Sequence, residues 1–258
     1  MSEDGPRVLG GFAVGSRVAG YLLEEQIGQG GMAVVFRALD ERLGRRVALK
    51  ILAPALAADE GFRQRFIRES RAAAAVDNPH IIPVFEAGEA GGVLYIAMRY
   101  VRGGDVGSLV SRLGPLPHVR VAEIILQVAS ALDAAHGSGL VHRDVKPANI
   151  LLDASGVGDR PDHVYLSDFG LSKASLAVSG LTGSGQFLGT LDYISPEQIE
   201  GKPVDGRADE YSLACAAFEL LSGVPPFHRQ EAMTVMHAQL HDDPPPLTKL
   251  AAGSSAGR

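Results

Sequence analysis

The chain has no tryptophan and a single cysteine, Cys215, among its 258 residues. One thiol cannot form a disulfide within the chain, so the bridged framework of a small secreted domain is excluded and a reducing compartment is expected. Cys215 sits in an apolar run and reads as a small buried hydrophobe. No apolar run is long enough to span a bilayer. The first residues, Met-Ser-Glu-Asp-Gly, lack the apolar core of a secretory leader, so the expected location is the cytoplasm. There is also no long block of one charge sign. The formal net charge is −6, so the basic footprint of a nucleic-acid binder is missing and no nucleic-acid partner is expected. What the chain does have is apolar content: 46 % of its residues are hydrophobic, enough for a sizeable core and too much for a disordered chain.

Organisation follows from periodicity. Tyr21 to Ile27, Ala33 to Ala38 and Arg46 to Leu52 read as strands, the first two separated by a glycine cluster. Gly61 to Val76 has helical spacing, with Phe62, Phe66, Ala73 and Val76 on one face and Arg63, Arg65, Arg68 and Arg71 expected to face outward. Strands are expected over Ile81 to Glu86 and Val93 to Met98. Beyond Val101 the pattern becomes helical: Val119 to Ala135, Asp209 to Leu221 and Glu231 to Leu240. Ile150 to Leu152 and Val164 to Leu166 read as a short hairpin around a loop-like insert. The division expected is a tail over 1–14, a strand-rich lobe over 15–101, a mainly helical lobe over 102–245 and a C-terminal tail over 246–258.

The most informative stretch is His142-Arg143-Asp144-Val145-Lys146-Pro147-Ala148-Asn149, followed later by Asp168-Phe169-Gly170. It places a carboxylate, a cation and an amide at fixed offsets, and a second carboxylate on another loop. That set suits phosphoryl transfer: Asp144 to accept a hydroxyl proton, Lys146 to neutralise charge, Asn149 and Asp168 to hold magnesium. Pattern and spacing resemble the catalytic and metal loops of eukaryotic-type serine/threonine protein kinases of bacteria. The arginine-rich, alanine- and glycine-rich composition agrees with a bacterial source.

The resemblance extends to both sides of these loops. Gly28-Gln29-Gly30-Gly31-Met32-Ala33 feeds a strand, whereas a Rossmann turn feeds a helix, and so is similar to the kinase glycine-rich loop. Ala33 stands where that family has its third glycine. The resemblance implies that Ile27, Val35, Ala48 and Leu151 line the adenine, with Met98 as gatekeeper and the backbone of Arg99 and Val101 as its hydrogen-bonding edge. It implies that Lys50 bridges the α- and β-phosphates and pairs with Glu69. Read alone, Lys50 is a solvated strand-end lysine and Glu69 a helix-surface acid. Asp105 reads equally as a ribose ligand or as a turn or cap residue. Lys146, and Thr190 beyond it, point to the serine/threonine class.

The segment from Asp168 to Glu197 would be the activation loop, with Thr182 and Ser184 as phosphorylation candidates and Arg143 as their partner. Ser195-Pro196-Glu197 resembles the family's Ala-Pro-Glu. Asp209 matches the aspartate that supports the catalytic loop. The chain stops after Pro244-Pro245-Pro246 and a small-residue tail, where the family's last two helices and the arginine partner of Glu197 would follow. The resemblance therefore implies an α+β, two-lobed kinase-like fold, with a small antiparallel β lobe carrying one regulatory helix and a helical lobe incomplete as given. It implies ATP with magnesium, or manganese in its place, serine- or threonine-bearing protein substrates, and a homodimer for autophosphorylation. The rival readings are an ATP-binding pseudokinase or scaffold, a truncated fragment, and a small-molecule kinase of the same fold.

Overall fold

Alternating apolar residues build the first sheet of the computed structural model, which describes residues 12–153, 162–169 and 191–247. Its strands are β1 (Arg17–Val18), β2 (Tyr21–Gln29), β3 (Ala33–Asp40), β4 (Arg45–Leu52), β5 (Val84–Ala90) and β6 (Val93–Arg99). They form an antiparallel sheet of order β1-β2-β3-β4-β6-β5. Because side chains alternate across a strand, the register Phe36↔Leu49↔Ala97 puts one set of residues on a single face. That set includes Val34, Phe36, Val47, Leu49, Ile51 and Tyr95, all buried in one cluster. Arg17 and Val18 pair with β2, and Phe12, from the expected tail, packs against the cluster.

Two helices accompany this sheet, α1 (Pro54–Ala57) and α2 (Glu60–Ala75). Asp59 Oδ1 accepts the Phe62 amide at 2.9 Å, satisfying one of the donors that every helix start leaves open. Phe62, Phe66 and Ala73 are buried along the expected face. Arg68 and Arg71 face outward as expected, but Arg63 and Arg65 are half-buried. Arg63 reaches Glu89 of β5 at 3.1 Å, and its apolar stem covers surface that a shorter side chain would leave open.

The second group of elements is helical. It comprises α3 (Val106–Leu113), α4 (His118–Gly137), a 3₁₀ turn (Pro147–Asn149), the hairpin β7 (Ile150–Asp153) and β8 (His163–Leu166), α5 (Pro196–Ile199), α6 (Gly206–Ser222) and α7 (Ala232–His241). Helix α4 packs against α6 and β8. Helix α6 starts at an Asp205 cap, whose Oδ1 accepts the Arg207 amide at 3.0 Å, and ends at Gly223 with φ +85°. Among the described residues, one compact unit runs to Ala75 and resumes over Ile82–Tyr100; the other takes Val76–Ile81 and the chain from Val101 onward. Residues 76–81 join the second unit through hydrogen bonds: the Leu166 amide donates to His80 O at 2.7 Å, and Asn78 Nδ2 donates to Ser130 O at 3.1 Å.

Candidate active site

In the second unit, α4 ends and the chain reverses through Gly139, φ +74°. The loop that follows is gripped by Asp209 of α6: its Oδ2 accepts the His142 amide at 2.8 Å and its Oδ1 the Arg143 amide at 2.7 Å. Arg143 has φ +66°, a conformation costing a non-glycine residue roughly 1–2 kcal/mol. Such strain persists only where the surroundings enforce it. Here the enforcement comes from Asp209 on the amide side and from Gln198 of α5, whose Nε2 donates to Arg143 O at 3.1 Å.

Asp144 lies directly after that strained residue. Lys146 Nζ donates to its Oδ2 at 2.7 Å, and Asn149 Nδ2 donates to the same oxygen at 3.1 Å and to Asp144 O at 2.7 Å. The Asp144 and Lys146 side chains are only 19 % and 17 % exposed, so a fixed orientation is held while an approach from solvent remains. Because Asn149 donates through Nδ2, its Oδ1 is the atom left for a cation.

The hairpin brings the second carboxylate alongside. Ile150 pairs with Leu166, and both the amide and the hydroxyl of Ser167 donate to Asn149 O, at 2.9 and 3.1 Å. Asp168, the next residue, sits at φ +68°. Asn149 and Asp168 thus leave the same end of one two-stranded ribbon. One amide oxygen and one carboxylate make a donor set that fits magnesium, which takes few protein ligands and completes its shell with phosphates and water.

His142 serves the scaffold. It is fully buried, its Nε2 meets Ser167 O at 2.8 Å, and its Nδ1 accepts the Asp144 amide at 3.2 Å. Those partners require a proton on Nε2 and a bare Nδ1. Burial pushes its pKa below the ordinary imidazole value, in agreement with a neutral ring. Phe169 packs edge-on against it, ring centroids 4.5 Å apart. Both residues lie in the core.

Beside this loop lies a groove of about 700 Å³, lined by Asp105, Ser108, Lys146, Pro147, Tyr193 and Glu219 among others. Tyr193 donates to the Glu219 carboxylate, which burial raises above its ordinary range. Asp105 is the N-cap of α3: its Oδ1 accepts the Ser108 amide at 2.8 Å and its Oδ2 the Ser108 hydroxyl at 2.7 Å. Burial pushes the Cys215 thiol up to about 12, which leaves it unreactive, as its apolar setting implied.

In the first unit, the register Val35↔Lys50↔Ile96 and Arg37↔Ala48↔Met98 puts Val35, Ala48, Lys50 and Met98 on the sheet face opposite the apolar cluster. The glycine turn joins β2 to β3, with the Gly30 amide donating to Ala33 O at 2.8 Å. Ala33 lies in extended β3 opposite Leu52, so its methyl meets no backbone strain. Ile27 is exposed in β2. The Arg99 amide donates to Pro83 O at 3.0 Å. Glu69 lies on α2, 16 % exposed. In the second unit, Leu151 is half-buried in β7 and Val101 follows the unit boundary. Gly170, Thr182, Ser184 and Thr190 lie outside the described residues.

Sequence reasoning missed Gln198, Glu219 and Tyr193 as supports of the loop and groove. Glu219 left one signal: it is a lone charge in the otherwise apolar Ala216-Ala217-Phe218-Glu219-Leu220-Leu221. Gln198 left none.

This arrangement is that of a protein kinase. The model of the family described as protein kinase domain matches residues 21–250, and the chain belongs to that family. Serine/threonine-protein kinase PknJ of Mycobacterium tuberculosis is 44 % identical over 247 residues, which is 95 % of this chain and 41 % of that protein. PknF of the same organism is 44 % identical over 236 residues, 91 % of this chain and 49 % of PknF. The chain therefore spans about a third to one-half of the length of the curated relatives it matches. The crystal structure of the M. tuberculosis PknI kinase domain superimposes with a TM-score of 0.70 at 36 % identity, covering 95 % of this chain and 86 % of that one. The two-lobed α+β kinase fold expected from the motifs is the fold observed. Proteins of this family use ATP and a divalent metal. Among the described residues, no helix is long and apolar enough to cross a membrane.

Proposed function

We propose that this chain transfers the γ-phosphate of ATP to serine or threonine hydroxyls of proteins. The observation that carries the reading is the Asp144 carboxylate held by Lys146 and Asn149, with Asp168 tied to Asn149 through Ser167. Asp144 orients the acceptor hydroxyl and receives its proton late, since the transition state is loose and needs little early deprotonation. Lys146 offsets charge on the moving phosphoryl group, and Asn149 and Asp168 hold magnesium. Magnesium, when bound, neutralises the phosphate oxygens and aligns them for transfer. On the first unit, Lys50 orients the α- and β-phosphates and Glu69 orients Lys50. Gly28, Gly30 and Gly31 let the backbone approach the phosphates, while Ile27, Val35, Ala48, Met98 and Leu151 cover the base. Lys146 and Thr190 favour a serine or threonine acceptor, and the groove beside Lys146 receives the acceptor peptide. Arg143, whose Nε is buried with no hydrogen-bond partner among the described residues, would take a phosphate on Thr182 or Ser184.

The test is transfer of label from ATP to the chain itself and to a generic protein acceptor. Asp144→Asn should lower the rate by about 10²–10⁴ with nucleotide binding retained. Asp168→Ala should remove the metal-dependent part of nucleotide binding. Binding without any transfer in the parent would replace this reading with the scaffold.

A further inference from the structure

Side chains four residues apart on a helix lie one above the other on the same side. His237 and His241 are such a pair at the end of α7, and both are exposed. Their ring centroids are 4.7 Å apart and the rings are tilted by 58°, so they do not stack flat. Among the described residues, neither imidazole is engaged by a hydrogen bond or an ion pair.

The inner side of α7 keeps their backbone in place. Val235, Ala238 and Gln239 are buried there. Gln239 Nε2 donates to Leu191 O at 3.1 Å and to Asp192 O at 2.8 Å, while its Oε1 accepts the Tyr211 hydroxyl. The end of the helix is therefore tied to α6 and to the backbone of 191–192, and the two imidazoles leave a fixed platform. A helix C-terminus carries partial negative charge, which favours a cation beside it. Arg229, which would repel such a cation, is paired with Asp242 at 3.2 Å.

Imidazole nitrogen binds a divalent transition metal at about 2.0–2.1 Å. With the ring centre about 1.2 Å beyond the nitrogen, two imidazoles at a right angle about one ion have centres about 4.5 Å apart, and at the tetrahedral angle about 5.2 Å. The observed 4.7 Å lies near the right angle, the angle of the tetragonal sites that Cu(II) and Ni(II) prefer. We propose that His237 and His241 form a two-point chelate for Cu(II), and more weakly for Ni(II), on the outer face of α7. Among the described residues, no group of three His, Cys, Asp or Glu could hold a metal ion, so water completes the shell. Affinity comes from the second ring, which the helix holds at high effective concentration once the first has bound. Magnesium does not compete, because it takes oxygen ligands. The site is independent of the phosphotransfer reading above.

The experiment titrates the full, untagged chain with Cu(II) and reads affinity by calorimetry and ligand type by the nitrogen splitting of the copper resonance spectrum. The parent should bind one ion through two nitrogens. His237→Gln and His241→Gln, each alone, should weaken that binding about 10²-fold and abolish the two-nitrogen pattern. The double variant should be no weaker than either single one, because one ring without the other gives no chelate. Met233→His in the His241→Gln background should restore both readouts, since position 233 is exposed and again four residues from His237. His228→Gln removes an exposed histidine outside α7 and should leave binding as in the parent. Parent-like binding in either single variant overturns the proposal, as do equal small losses for every histidine removed and a failure of Met233→His to restore binding. If His237→Gln shows no cooperative melt, His241→Gln and its Met233→His rescue carry the decision.

Discussion

His142 is a residue whose charge state can be read from its neighbours. A ring whose Nε2 meets a carbonyl while its Nδ1 accepts an amide has one proton to place, and full burial makes a second one costly. Its folded pKa therefore lies below the unfolded value near 6.5. The native state then binds fewer protons than the unfolded chain once the pH falls beneath that value. This group's contribution to stability is thus complete above about pH 6.5 and is lost as the pH falls from there toward the folded pKa. The expected outcome is a nitrogen spectrum in which His142 keeps the neutral Nε2–H form as the pH is brought below the ordinary imidazole value near 6.5. A His142 signal that gains its proton at or above that ordinary value would contradict the hydrogen-bond assignment. The catalytic loop itself was legible from residue order, because its chemistry needs fixed offsets. What holds it was less so: Asp209 was foreseeable from the family pattern, but Gln198 reaches Arg143 O from 55 positions downstream.

At the scale of elements, the start of α3 offers a separable test. Asp105 engages Ser108 twice, as a helix cap does. Asp105→Ala should cost about 1 kcal/mol by urea denaturation, and Asp105→Ser should restore most of it, since serine caps well without a charge. If Asp105 also holds the ribose, KM for ATP stays raised in Asp105→Ser although stability has returned. Long elements were visible in the sequence because periodicity needs several turns or strand residues to emerge. The strands over Tyr21–Gln29, Ala33–Asp40 and Arg45–Leu52, and helices α2, α4, α6 and α7, lie where alternation or helical spacing put them. The four-residue helix Pro54–Ala57, the two-residue strand Arg17–Val18 and the eight-residue α3 are too short to show a period. Local signals mark two of them instead, Pro54 at the start of the first and the Asp105 cap of α3. Gln26 and Glu25 mark another limit: register shifts in β2 on either side of this pair break strict alternation in the strand that precedes the glycine turn.

At the scale of the whole molecule, the metal-dependent nucleotide reading predicts stabilisation by mass action. Mg-ATP at a hundredfold excess over its Kd should add about 2.7 kcal/mol, or several degrees of melting temperature for a chain of this size. The gain should shrink when magnesium is chelated and in Asp168→Ala. A melt indifferent to both would deny that Asn149 and Asp168 hold a cation for the nucleotide. The passage of Val76–Ile81 into the second unit was not legible beforehand, because an isolated bridge such as Ile81↔Leu166 has no period of its own. That detour sets a rule for dissecting the protein. The first unit is not a contiguous stretch of polypeptide, and a fragment cut after Tyr100 would carry His80 away from Val164, its partner 84 positions downstream. Anyone wishing to produce the sheet-bearing half by itself must replace the 76–81 excursion with a short connector.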